Sequence, residues 1–126
     1  MIIKLKRKEL SKQDFISTYV RLVTDLDRKS VQVLSLLIYN YPNTLIDTRT
    51  KAAIKDLLGV ENKKESYQNQ MVSKMLTKLN QGKYIVKIQN GMYELNSTFR
   101  DFAKYISSLK SNEMIELNFN FLINEL

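Results

Sequence analysis

SYQNQMVSKMLTKLNQGKYIVKIQNGMYELN, residues 66–96, is the stretch that decides the fold. Place Val72 at the centre of a buried helix face. A turn of about 100° per residue then carries Met75, Leu76 and Leu79 inward as well. Ser66, Tyr67, Gln70, Ser73, Lys74, Thr77 and Lys78 fall outward, with Asn69 and Met71 at the borders. The spacing predicts a helix over 66–80 that Gln81-Gly82 brings to a stop. Tyr84–Ile88 is a β-branched run, and Met92–Leu95 is its return strand. Asn90-Gly91 between them is a strong hairpin signal, because a two-residue type I′ turn needs positive φ at both central positions. From Ser66 to Met92 there are four lysines and no acid.

Upstream, Ser30 is placed to cap a helix whose stripe is Val31, Leu34, Leu37, Ile38 and Tyr41, widened by Val33 and Leu36. Such a helix is apolar on most sides and belongs at the centre of a core. Pro42 disfavours helix at Tyr41 and ends it. Thr44–Thr48 follows as a short extended piece. Thr48 can then cap a helix over 49–58 with Ala53, Ile54, Leu57 and Leu58 inward. Gly59 is positioned for a left-handed C-cap, with Val60 to close it. ENKKE, 61–65, is a polar loop.

The flanks add two helices. Ser11 and Asp14 make a capping-box pattern before a helix over 12–26, with Phe15, Ile16, Tyr19, Val20, Leu22, Val23 and Leu26 on its stripe. Thr98 and Asp101 offer a similar cap for a helix over 99–109, with Phe99, Phe102, Ala103, Ile106 and Leu109 inward. The chain therefore divides into an N-terminal basic arm and helix (1–29), a central unit (30–96) and a C-terminal helix with an alternating apolar tail (97–126). IIKLK, 2–6, has the look of a short strand. In the tail, Ile115, Leu117, Phe119 and Phe121 alternate with Glu116, Asn118 and Asn120, the period of a half-buried strand. An unpaired strand of this kind invites aggregation, so it should join IIKLK of its own chain or another subunit.

At 126 residues, 44% hydrophobic and 26% charged, the chain fits one globular domain. Its net charge of +7 favours an anionic partner. Cysteine and histidine are absent, which rules out disulfides and Cys/His metal sites. All three glycines are accounted for by turns, so no phosphate loop remains. The carboxylates are scattered rather than convergent. These features point away from an enzyme, and no cofactor or metal is expected. No apolar run spans a membrane, and no secretory leader is visible, so a cytoplasmic setting is expected, with a virion as the other setting.

The order helix, short strand, helix, helix, hairpin over 30–96 resembles the winged helix-turn-helix superfamily. Three features carry the resemblance: IKDLLGV with Gly59 at the turn, the SYQNQMVSKMLTKLNQGKYIVKI helix-into-strand join, and the Asn90-Gly91 tip. The join and the GMYELN return strand are similar to those of RepL-type plasmid replication initiators and of small phage and bacterial regulators. The turn after Gly59 is longer than the usual three or four residues. The resemblance implies a mainly α fold with a small antiparallel β-hairpin, in which helix 66–80 enters the major groove of double-stranded DNA and the hairpin acts as the wing.

The candidate nucleic-acid-binding residues are then Ser66, Tyr67, Asn69, Gln70, Ser73, Lys74, Thr77 and Lys78 on the helix. Lys87, Gln89 and Asn90 are the candidates on the wing. Ser, Thr, Gln and Tyr side chains can bond phosphates, and Gln can pair bidentately with an adenine edge. The helix lacks Arg, the best guanine reader, so a modest, adenine-leaning preference is expected. Lys4, Lys6, Arg7 and Lys8 form either a basic arm on the phosphate backbone or a solvated end. Two function classes follow. One is a DNA-binding regulator or replication factor of a phage, plasmid or low-GC bacterium. The other is a non-catalytic structural or interaction module, such as a phage-particle component. A homodimer or protein partner would be engaged through helices 12–26 and 99–109 and the tail 114–126.

Overall fold

The most apolar helix lies at the centre of the molecule. The computed structural model describes the backbone of residues 2–6, 12–108 and 114–118 and the side chains of 12–108. In chain order the elements are β1 (Ile2–Lys6), α1 (Lys12–Val23), α2 (Arg28–Tyr39), α3 (Thr48–Leu58), α4 (Glu65–Gln81), β2 (Ile85–Gln89), β3 (Met92–Leu95), α5 (Ser97–Ser108) and β4 (Met114–Asn118). The protein is thus mainly helical with a small antiparallel hairpin. Val31, Val33, Leu34, Leu37 and Ile38 of α2 are all buried, as their near-continuous apolar pattern demands. Among the described residues no helix is long and apolar enough to cross a membrane.

Residues from all three segments of the chain join one hydrophobic core. Helices α1 and α5 meet through aromatics: Tyr19 stacks on Phe102 with ring centroids 3.7 Å apart, Phe15 lies 5.8 Å from Phe102, and Tyr19 meets Phe99 edge-on. Burial pushes the Tyr19 phenol up to about 12, since the ionised form cannot be solvated there. Phe15, Ile16, Tyr19 and Val20 of α1 and Phe99, Phe102, Ala103 and Ile106 of α5 are therefore buried within the chain's own core. Leu22, expected inward, is 55% exposed because it lies at the edge of the α1 stripe. The helix also ends at Val23 rather than 26.

All three caps that can be compared fall earlier than expected. Asp27, not Ser30, caps α2; Ser30 sits inside the first turn and its hydroxyl donates to the Asp27 carboxylate. Asp47, not Thr48, caps α3, its Oδ1 accepting from the Thr50 amide at 2.8 Å. Asn96, not Thr98, caps α5, its Oδ1 accepting from the Phe99 amide at 2.9 Å. In each case the helix begins with polar residues that hydrophobic spacing does not register, and Asp and Asn cap at least as well as Ser or Thr. The Ser11 cap and Leu109 lie outside the described residues.

Gly59 ends α3 as expected, left-handed at φ 69°, and Val60 closes the turn at 5% exposure. The long connection to α4 is held by Gln68, whose amide donates to the carbonyls of Glu61 and Lys63 at 3.0 and 2.9 Å. After α4 the left-handed residue is Lys83 (φ 64°), not Gly82. Gly82 is needed for a different reason: a Cβ there would stand 2.6 Å from the Tyr84 ring.

The hairpin forms, but not as a two-residue type I′ turn. Gly91 has positive φ and Asn90 does not. The register runs Ile85↔Leu95, Val86↔Glu94, Lys87↔Tyr93 and then slips to Gln89↔Met92. The slip places a bulge between Lys87 and Gln89, while Asn90 and Gly91 alone separate Gln89 from Met92. The extended piece before α3 lies against β3: Ile46 N–H donates to Gly91 O at 2.7 Å, and Tyr93 N–H to Thr44 O at 2.9 Å. Finally, β1 and β4 pair antiparallel in one chain, Ile3 opposite Leu117, Lys4 opposite Glu116 and Leu5 opposite Ile115. Of the two pairings open to IIKLK, the structure takes the one within the chain.

Candidate nucleic-acid interface

Helix α4 buries Val72, Leu76 and Leu79 and half-buries Met71 and Met75, so its opposite face is fixed toward solvent. Ser66, Tyr67, Asn69, Gln70, Ser73, Lys74, Thr77 and Lys78 are all exposed on it. The helix begins one residue earlier than expected, which brings Glu65 into its first turn, where a negative charge suits the helix dipole. The acid-free face thus starts at the second residue of the helix.

The hairpin is locked onto the far end of α4. Tyr84 N–H donates to Leu79 O at 3.0 Å, and the Lys87 amide donates to Asn80 Oδ1 at 3.0 Å. Asn96 ties the other strand, donating through its side chain to Lys83 O at 3.1 Å and through its amide to Tyr84 O at 3.0 Å. Beyond Ile85 the strand β2 is exposed, so Lys87, Gln89 and Asn90 stand out from the body of the protein.

Four of the eleven candidates converge. Asn69 and Ser73 of α4 line one groove with Lys87 and Asn90 of the hairpin. The groove also takes in Lys51 of α3, a residue that sequence alone does not single out. Lys51 reaches it because the 44–46 segment is bonded to β3 and carries the start of α3 with it. The only sequence signal for Lys51 was its place on the exposed side of a short helix. Ser66, Tyr67, Gln70, Lys74 and Thr77 lie outside this groove on the same exposed face. Lys51 and Asn69 also line a second groove, between α3 and the start of α4, together with Lys55, Glu61 and Glu65.

Lys78 lies on the same exposed face but within reach of another element. Its Nζ is 2.8 Å from Asp27 Oδ1, a pair more than half exposed at both ends. The Lys78 hydrogen bond, with that of Ser30, holds the Asp27 carboxyl below the ordinary aspartate value. Lys78 is thus engaged at the N-terminus of α2, whereas Lys51, Lys74 and Lys87 have no ion-pair partner among the described residues. Of the basic arm, Arg7 and Lys8 lie outside the described residues, and Lys4 and Lys6 belong to β1. Among the described residues no cluster of carboxylates could hold a metal ion. Set against known proteins, the chain matches no family model, no curated protein and no solved structure.

Proposed function

We propose that the protein is a non-catalytic, DNA-binding winged-helix protein, a regulator or replication factor of a phage, plasmid or low-GC bacterium. Helix α4 would enter the major groove and the hairpin over 84–95 would act as the wing. The observation that carries this is the solvent face of α4 from Ser66 to Lys74, which is acid-free and opens beside the exposed hairpin. A solvated helix face ordinarily mixes both signs of charge, as α3 does with Arg49, Lys51, Lys55 and Asp56. The element order supports the same conclusion: α2, an extended segment bonded to β3, α3, α4, then the hairpin. The dimer through α1 and α5 has less support, because their apolar stripes are already covered.

Fluorescence anisotropy with a random duplex and a single strand, at two salt concentrations, tests the proposal. Duplex binding should weaken steeply with salt, with a log–log slope near 0.9 per phosphate contacted, and Lys74→Ala should lower that slope by about one. Equal, salt-insensitive signals from duplex and single strand would refute it.

A further inference from the structure

We propose that the groove between α3, α4 and the hairpin tip is a site for a single phosphate group, held jointly by Lys51 and Lys87. Three separate elements supply its polar side chains: Lys51 from α3, Asn69 and Ser73 from α4, and Lys87 and Asn90 from the hairpin. No carboxylate lines it. None of the five side chains has a hydrogen-bond or ion-pair partner among the described residues, so their donors are free for a ligand. Asn69 and Ser73 are four apart and share one helix face. Lys51 and Lys87 come to the groove from different elements, an anion between two ammonium groups would be attracted by both, and lysine serves as a point-charge phosphate binder. The groove is open to solvent and offers roughly 220 Å³. That is below the roughly 300–1,000 Å³ of sites for drug-sized ligands, and suits a small anion with its water.

The proposal rests on the DNA-binding proposal for the source of the phosphate, a backbone phosphodiester, and not for the site itself. A phosphate bridging Lys51 and Lys87 would tie the wing to α3 as well as to α4. Lys51 would then be a phosphate-binding residue on a helix that lies outside the face of α4.

The test uses the full chain and two probes. In a ¹⁵N-resolved titration with inorganic phosphate, the amides of Ser73, Asn90 and Gly91 should shift saturably, while chloride at matched ionic strength leaves them in place. Lys51→Gln and Lys87→Gln should each abolish the shift, and Lys104→Gln, an exposed charge change on α5, should not. With a duplex, the double variant K51Q/K87Q should lose about one unit of salt slope, because one phosphate is lost. A loss of about two units means two separate contacts and overturns the shared site. Duplex binding indifferent to both substitutions overturns the site and leaves DNA binding intact. A groove that takes inorganic phosphate in a protein that binds no duplex keeps the site and removes the DNA-binding proposal. Absence of any saturable phosphate shift, with the salt slope unaltered, overturns the site outright.

Discussion

The two ends of α4 are built from similar residues and do different work. Toward its N-terminus, Asn69, Ser73 and Lys74 present side chains with no partner among the described residues. Toward its C-terminus, the same kinds of side chain are committed. Lys78 is paired with Asp27, and Asn80 accepts from the Lys87 amide. Residue type alone therefore does not say which lysine or asparagine on an exposed helix face is available to a ligand. What decides is whether another element has come within reach. The C-terminal half of α4 is where α2 and the hairpin are fastened, and the N-terminal half is what that fastening presents to solvent.

The largest expected effect comes from breaking the buried side of the committed half. Leu79 is fully buried and adjoins the turn into the hairpin. Leu79→Ala should cost about 3 kcal/mol of unfolding free energy, as large-to-small core changes do. Lys74→Ala should stay within about 0.5 kcal/mol. Urea denaturation of the two variants makes the contrast, and comparable losses would show that the free half of the helix is structural too.

Next in size is Gly82→Ala. The backbone there is ordinary, φ −75°, so no conformational strain is involved. The added methyl would instead stand 2.6 and 2.8 Å from Tyr84 ring atoms, and that ring packs 6.3 Å from Phe99. Overpacking of this kind costs about 1–3 kcal/mol. Lys83, held left-handed at φ 64°, gives the opposite test: Lys83→Gly should be neutral or stabilising in the same measurement.

How much of this was legible in the sequence follows from what periodicity can register. The inward residues of α4 and α2 were, because burial repeats with the helix turn. Helix starts were not, because Arg28, Lys29 and Ser97 are polar and leave no apolar mark, so the caps slid from Asp27 and Asn96 to Ser30 and Thr98. Asn90-Gly91 announced a hairpin correctly but not its turn type, since several turn types want glycine in the left-handed region, and the φ of Asn90 separates them. Lys51 and the fate of Lys78 were out of reach. One depends on the 44–46 segment pairing with β3, the other on an aspartate 51 positions away.

Binding experiments sharpen the comparison at its functional level. Lys74→Ala should weaken duplex binding several-fold and lower the salt slope by about one, while Lys78→Ala should leave the slope near that of the unaltered protein. If Lys78→Ala is the more damaging of the two, its pairing with Asp27 yields to phosphate, and the boundary between the two halves of the helix lies further toward the C-terminus.

The smallest effect concerns that pair directly. Asp27 holds the N-cap position without a side-chain bond to the helix backbone, and asparagine suits that position about as well, so Asp27→Asn should keep the helix start and an acceptor for Ser30 while removing the charge. An exposed ion pair is worth at most about 1 kcal/mol. The Asp27 carboxyl is held below its ordinary value of 3.8 by Lys78 first and Ser30 second, so the folded state favours the ionised form. Its contribution is therefore present above pH 3.8 and is lost as the pH falls through the depressed folded value. Unaltered protein and Asp27→Asn should differ slightly at neutral pH and converge on acidification, in paired denaturation curves at the same ionic strength. Molar salt should produce the same convergence at neutral pH, because screening weakens an exposed pair without protonating it. A difference that survives both treatments would mean that the ion pair contributes nothing to it, and that Lys78 is as free for a ligand as Lys74.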